Sequence, residues 1–188
     1  AIFAITGALV ARGKNIDLYG VTVFSFVTAV GGGTVRDMLL GLTPVFWIED
    51  PTYVVVSVVF GLGTFALARR LKLPAQLLIV ADAFGLALFT VIGYQIGAGA
   101  TGNPLVALIM GVLTGTGGGL IRDLLNGTVP LVLKEEIYAS ASILGALLML
   151  AGPPLGVPTS VTIMGSMATI IIVRLVTIYR KQSLPKFE

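Results

Sequence analysis

The 188-residue sequence contains no cysteine and no histidine. Without cysteine there is no disulfide framework, no thiolate metal site and no thiol nucleophile, and without histidine the commonest general base is missing. Charged residues are also scarce, at 11% of the chain, where an average soluble domain has roughly a quarter. These absences argue against an enzyme, and the small net charge of +3 provides no basic face for nucleic acid.

What the chain has in abundance is apolar surface, because 56% of its residues are hydrophobic. A soluble protein of this size could not hide that much apolar surface, since its own exterior must face water. A lipid bilayer removes the difficulty by replacing water around the exterior. The composition therefore predicts an all-α integral membrane protein.

Membrane-spanning helices account for most of the sequence. Each needs about 20 apolar residues, and seven stretches are candidates, with six as the main alternative count. The sequence begins inside an apolar run, so we expect the first helix to have lost residues at its start. The predicted spans are 1–11, 16–40, 53–68, 75–95, 104–125, 137–151 and 157–178.

The basic residues indicate an orientation, because lysine and arginine favour the cytoplasmic side of a membrane. With the N-terminus outside, only Arg36 falls toward the outer side, and the connections 96–103 and 152–156 carry no charge. This distribution predicts a cytoplasmic C-terminus and an odd number of spans. The residues on the inner side or its boundary are Arg12, Lys14, Arg69, Arg70, Lys72, Arg122, Lys134, Arg180, Lys181 and Lys186.

An internal repeat is the most informative feature. The element Gly-Gly-Gly-x-x-Arg-Asp occurs at 31–37 and again 86 residues later, and nine of twenty positions from 31 to 50 are identical in the second copy. A weaker similarity relates 4–9 to 82–87. Each copy holds three spans, so the second enters the membrane from the opposite side. We predict a single transmembrane domain with two inverted three-helix repeats, at about 1–70 and about 75–151, and a seventh helix at about 157–180.

The glycine triplets allow two interpretations. Three consecutive glycines weaken a helix, so the triplets would break or bend the second and fifth spans and free backbone carbonyls to line an ion path. The alternative is close helix packing, for which small residues are the usual interface in membranes. The glycines are Gly31, Gly32, Gly33, Gly117, Gly118 and Gly119.

Each triplet is followed by a charged pair, Arg36-Asp37 and Arg122-Asp123. A charge at a membrane-helix centre costs roughly 2.5–3.5 kcal/mol on insertion scales, so these groups must face water or one another. Adjacent residues on a helix do not face each other. We therefore expect pairing across the repeat, Arg36 with Asp123 and Asp37 with Arg122. The alternative is that all four snorkel to the headgroups.

Further polar residues are candidates for a pathway. Asp82 lies inside the fourth span between apolar neighbours, where a carboxylate indicates pathway lining or a proton relay, or alternatively a hydrogen-bonded packing residue. The hydroxyls of Thr28, Thr114 and Ser140 are weaker candidates. Tyr138 is interpreted as an interfacial aromatic.

The doubled glycine element, the stretch 28–37, Pro44-Val45-Phe46-Trp47 and Glu136-Ile137-Tyr138-Ala139 together resemble the prokaryotic branch of the trimeric intracellular cation (TRIC) channel family. The same sequence family includes bacterial inner-membrane proteins proposed to be glycine transporters. The resemblance covers nearly the whole chain. It implies seven helices and a homotrimer with one pore in each subunit.

The resemblance also implies that the triplets bend the second and fifth helices and that the neighbouring charged residues line the pathway. It implies a prokaryotic inner membrane, lipid as the surroundings, and potassium or sodium as the permeant ion, with potassium preferred and no other cofactor. The family usually carries an early acidic residue in its first helix, which this sequence lacks.

Three classes of function stay open. A passive cation channel is the first hypothesis. A secondary transporter of glycine or another small zwitterion is the alternative, because an arginine and an aspartate near a helix break would suit a carboxylate and an ammonium group. A membrane scaffold without transport would leave the charges at depth without a purpose.

Overall fold

The structure is a computed structural model that describes residues 1–11, 16–71, 74, 76–134 and 136–180. Throughout these ranges the regular structure is helical, with nine α-helices and one 3-10 turn at Pro153–Leu155. The helices are α1 (Ile2–Val10), α2 (Leu18–Leu40), α3 (Phe46–Glu49), α4 (Thr52–Arg70), α5 (Gln76–Thr101), α6 (Pro104–Leu125), α7 (Leu131–Lys134), α8 (Glu136–Ala151) and α9 (Thr159–Arg180).

Each predicted span contains a helix. Five helices, α2, α4, α5, α6 and α9, are long and apolar enough to cross a membrane. The other two, α8 with 16 residues and α1 with nine, are shorter. The all-helical membrane architecture is therefore confirmed, while the count of seven spans stays a prediction. The four-residue helices α3 and α7 were not predicted.

The helices α2 and α6 end in the same way, which explains one of the residues that the repeat retains. The chain turns at Gly41 and Gly127 with φ angles of 67° and 68°. The amide after each glycine returns to the helix, with Leu42 N donating to Asp37 O at 2.9 Å and Thr128 N donating to Asp123 O at 3.0 Å. A left-handed conformation costs other residues roughly 1–2 kcal/mol, so glycine is favoured at both turns.

The long helices pack as two groups of three. Helices α1, α2 and α4 pack together, as do α5, α6 and α8. Contacts of α2 with α6 and of α1 with α5 join the groups, and α9 packs on α5 and α8. The first group lies within 1–70 and the second within 75–151, and the two repeats with their inverted orientation stay predictions. Five of the basic residues that indicate the orientation lie outside the described residues, namely Arg12, Lys14, Lys72, Lys181 and Lys186.

The glycine triplets lie where α2 crosses α6. A Cβ atom built on Gly32 would stand 2.5 Å from Thr114 O, and one built on Gly118 would stand 2.6 Å from Thr28 O. Both helices run through their triplets without interruption. At Gly32, Gly117 and Gly118 this geometry supports the packing interpretation, because a glycine allows the two backbones to approach this closely. The expected helix break is wrong at Gly31, Gly32, Gly33, Gly117, Gly118 and Gly119, while a bend stays a prediction.

Candidate functional site

The first charged pair lies at the C-terminal end of α2. Arg36 Nε donates to Asp37 Oδ1 at 2.8 Å and Arg36 Nη2 lies 2.7 Å from the same oxygen. The second oxygen, Asp37 Oδ2, accepts a hydrogen bond from Phe46 N at 2.9 Å. Phe46 is the first residue of α3. The Arg36 guanidinium also lies 5.5 Å from the centroid of the Phe46 ring. One carboxylate thus joins the arginine to the start of a short helix.

The second pair repeats this arrangement at the end of α6. Arg122 Nε donates to Asp123 Oδ1 at 2.9 Å. Asp123 Oδ2 accepts from Leu131 N at 2.9 Å, and Leu131 is the first residue of α7. In both repeats an aspartate from the end of the preceding long helix thus accepts the first backbone amide of the short helix, and it acts as a cap supplied from outside that helix. The sequence repeat is matched by a repeated set of hydrogen bonds.

Two expectations about these charges are wrong. Each arginine pairs with the aspartate that follows it, and not across the repeat. The arginine side chain is long enough to fold back onto its neighbour, and burial favours that pairing. All four residues are buried, with Arg36, Asp37, Arg122 and Asp123 between 0% and 4% exposed. They lie inside the protein and do not snorkel to the headgroups.

Asp82 joins the second pair. Arg122 Nη1 donates to Asp82 Oδ1 at 2.6 Å, and both side chains are completely buried. The contact connects α5 to α6. Arg122 therefore has two carboxylate partners, Asp82 and Asp123, whereas the described contacts give Arg36 one. Burying an ion in protein is costly unless it is paired and hydrogen-bonded.

Several polar atoms converge at Gly119, the last glycine of the second triplet. A Cβ atom built there would stand 2.9 Å from the Tyr138 hydroxyl, 3.4 Å from Asp82 Oδ1 and 3.6 Å from Arg122 Nη2. Among the described residues Asp82 Oδ2 and Arg122 Nη2 are buried polar atoms without a hydrogen-bond partner. A cationic hydrogen-bond donor and an anionic acceptor therefore lie close together. Such a place suits a water molecule, an ion or another small polar group.

The candidate hydroxyls are placed differently from one another. Thr28 and Thr114 lie at the crossing of α2 and α6, fully buried. Their hydroxyls donate to carbonyls of their own helices, Phe24 O and Met110 O, both at 2.6 Å. Ser140 lies half-buried on α8. A buried pair that the sequence did not suggest is Thr90 with Ser142, whose hydroxyl oxygens are 2.7 Å apart.

Two residues of this region were misjudged or missed from the sequence. Tyr138 is 1% exposed, so its interpretation as an interfacial aromatic is wrong. Arg174 on α9 is completely buried, and its guanidinium lies 4.7 Å from the centroid of the Tyr138 ring. A usable signal existed, because Arg174 is the only charged residue in the predicted span 157–178. An ionisable residue inside a membrane helix is by default a functional candidate.

Sequence comparisons relate the whole chain to bacterial membrane proteins. A family model described as "Glycine transporter" matches residues 1–69 and 79–153. The inner membrane protein YadS of Escherichia coli strain K12 is 44% identical over 189 residues, covering 100% of this chain and 91% of that protein. A membrane protein of Vibrio cholerae is 43% identical over 188 residues, covering 100% of this chain and 79% of the relative.

Structural comparisons relate the fold to solved channels. A structure of the TRIC trimeric intracellular cation channel orthologue from Rhodobacter sphaeroides matches with a TM-score of 0.92 and 39% identity, covering 96% of this chain and 93% of that one. A second structure, which concerns the structural basis for conductance through TRIC cation channels, matches with a TM-score of 0.89 and 35% identity. The match covers 100% of this chain and 92% of that one. Both matches extend over nearly the full length.

Proposed function

This chain belongs to the membrane-protein family described as "Glycine transporter", and we propose that it forms a monovalent cation channel with a pore in each subunit of a homotrimer. The observation that carries the proposal is the near-full-length match to solved TRIC channels at up to 39% identity. An inner-membrane location follows from the relative named as an inner membrane protein together with the apolar helices. We further propose an external N-terminus and a cytoplasmic C-terminus.

The pathway that we infer runs beside the crossing of α2 and α6, with one Arg-Asp pair at each end. Glycines bring the two helix backbones together at this crossing, and Asp82 adds a second carboxylate at the Arg122 end. Thr28, Thr114 and Ser140 are further candidates to contact the ion. The proposed pathway residues are Gly31, Gly32, Gly33, Arg36, Asp37, Gly117, Gly118, Gly119, Arg122, Asp123 and Asp82.

Arginines beside a cation path do not exclude conduction, because each guanidinium is bound to a carboxylate. The Asp37 and Asp123 oxygens hold their arginines at 2.7–2.9 Å, which locally offsets the positive charge. An arginine that releases its carboxylate would expose that carboxylate to a passing cation. We propose that the pairs are closed in the described arrangement and that potassium is preferred over sodium.

A planar-bilayer recording of the purified protein in potassium chloride tests the channel. Discrete unitary steps are expected, with the steps altered in Asp37→Asn/Asp123→Asn. Asp50→Asn, which changes an exposed carboxylate before α4, is the matched control and should behave as the wild type. With potassium on one side and sodium on the other, the reversal potential measures the preference. Silence at every voltage, with the protein folded and monodisperse, would exclude the channel.

A secondary transporter of glycine or another small zwitterion is the alternative. It is favoured by the family description and by the cluster at Gly119, where unpartnered Asp82 Oδ2 and Arg122 Nη2 match an ammonium and a carboxylate group. Uptake of labelled glycine into proteoliposomes discriminates the two. Saturable uptake without unitary currents would establish a carrier, whereas currents without glycine uptake would establish a channel.

A further inference from the structure

The last glycine of each triplet makes room for an aromatic residue, although the two aromatic residues stand at different positions of their repeats. A Cβ atom on Gly33 would meet the Phe46 ring at 2.6 Å, and one on Gly119 would meet the Tyr138 hydroxyl at 2.9 Å. In the first repeat Arg36, the arginine of the pair itself, lies over the aromatic ring. In the second repeat the cation over the ring is Arg174, which belongs to α9.

Helix α9 stands outside the repeat and still reaches this cluster. Its buried polar and apolar residues recur every four positions, at Thr162, Ser166, Ile170 and Arg174. Ser166 Oγ donates to Gly145 O at 2.8 Å, which fixes α9 against α8. The same face therefore delivers the Arg174 guanidinium to the Tyr138 ring at membrane depth. A charge at this depth is costly. The cation–π contact with the desolvated Tyr138 ring is one interaction that offsets this cost.

Tyr138 connects Arg174 to the ion pair of the second repeat. One side of the residue, its ring, lies under the Arg174 guanidinium at 4.7 Å. The other side, its hydroxyl, stands at the point beside Gly119 that Asp82 Oδ1 and Arg122 Nη2 also approach. A displacement of the ring therefore changes the space available to the Asp82–Arg122 pair. The described first-repeat contacts, where Phe46 packs edge-on against Tyr53 at 4.8 Å, involve no residue of α9.

We propose that Arg174 is a positioning residue through which α9 holds the Asp82–Arg122 pair closed, acting by way of the Tyr138 ring. The inference rests on the proposed channel function. It predicts that the two ends of the pathway are controlled differently. The Arg122 end of the pathway is controlled by a helix outside the repeat, whereas the contacts described for the Arg36 end include none with α9. Loss of Arg174 frees the ring, weakens the closed pair and shifts the closed–open equilibrium toward the open state.

Single-channel recordings of Arg174→Met and Arg174→Lys test this role. Arg174→Met is expected to raise the open probability about fivefold or more, the scale of a typical coupling between sites, with the unitary conductance unchanged. Arg174→Lys keeps a cation over the ring and should restore wild-type gating. Arg180→Met, at the exposed end of the same helix, is the matched control. An unchanged open probability in Arg174→Met overturns the proposal, and an altered conductance would place Arg174 on the ion path instead.

A second measurement does not depend on conduction. Tyr138→Leu removes the ring through which Arg174 is proposed to act, so a thermal-unfolding cycle of Arg174→Met, Tyr138→Leu and the double variant reports whether the two residues act as a unit. The combined loss is expected to be smaller than the sum of the single losses. Additive losses would overturn the inference even with a wild-type protein that conducts. A silent wild type with non-additive losses would instead contradict the channel and leave the positioning contact in place.

Discussion

Asp82 and Arg122 form a completely buried ion pair between α5 and α6, in which Arg122 Nη1 donates to Asp82 Oδ1 at 2.6 Å. In the weaker similarity between 4–9 and 82–87, the position of Asp82 corresponds to Ala4. Among the described contacts, the first repeat therefore provides its arginine with one carboxylate and the second provides two. This asymmetry makes the Arg122 end the more strongly held end of the inferred pathway.

Asp82→Asn is expected to destabilise the protein strongly. Removing one partner of a buried pair leaves an incompletely compensated charge, which typically costs about 3–5 kcal/mol. The measurement is the thermal-unfolding midpoint of the detergent-solubilised protein, compared with Asp50→Asn, where the carboxylate is exposed. Equal midpoints for the two variants would show that the Asp82–Arg122 contact contributes nothing to stability.

Asp37→Asn and Asp123→Asn should each loosen one short helix and spare the other. An asparagine cannot both bind the arginine through one acceptor and accept the backbone amide through a second, so the cap of α3 or α7 is lost. Loss of a cap costs about 0.5–2 kcal/mol, or roughly two- to thirtyfold in opening.

Hydrogen exchange followed by mass spectrometry measures both effects in one experiment. Faster exchange is expected at the Phe46 amide in Asp37→Asn and at the Leu131 amide in Asp123→Asn. Each variant serves as the control for the other. Acceleration at both amides by either substitution would mean that α3 and α7 open together and that their caps are not independent.

The long helices could be predicted from sequence because they depend on local apolar composition. The span 104–125 coincides with α6, and the turn after α2 is explained by Gly41 alone. The fourth span was placed six residues short, because Ile96 to Thr101 combine glycine and alanine and carry no strong apolar signal. Composition identifies a membrane helix well and its ends poorly.

The sequence could predict which residues form the charged site, but not how they pair. Arg36, Asp37, Arg122 and Asp123 stand out because charge is rare in this chain, but their pairing depends on side-chain conformation, which the spacing of residues does not encode. The short helix α3 forms under a hydrogen bond from Asp37, nine residues earlier. Tyr138 was misplaced because a tyrosine near the end of a span is equally typical of an interface and of a buried contact.

Arg122→Gln is expected to be more damaging than Arg36→Gln. The first change leaves two buried carboxylates, Asp82 and Asp123, facing a neutral amide, and the second leaves one. The thermal midpoint should fall further for Arg122→Gln, and both variants should alter unitary conductance or open probability. Arg180→Gln, at an exposed helix end, provides the baseline. Wild-type currents in both variants would remove the arginines from the pathway.

Gly32→Ala and Gly118→Ala should destabilise the crossing of α2 and α6. The added methyl groups would meet backbone carbonyls, Thr114 O and Thr28 O. A backbone cannot rotate away as a side chain can, so the helices must separate, and overpacking of this kind costs about 1–3 kcal/mol. We expect lower thermal midpoints for both variants.

Gly63→Ala is the matched control, because a Cβ atom on Gly63 meets nothing within 4 Å and the residue is exposed on α4. It should keep the wild-type midpoint, since alanine is the better helix former. If Gly32→Ala and Gly118→Ala were as stable as Gly63→Ala, the close approach of the two helices would not need the triplets. The glycines would then have to be explained by flexibility, that is, by the predicted bend in the second and fifth spans.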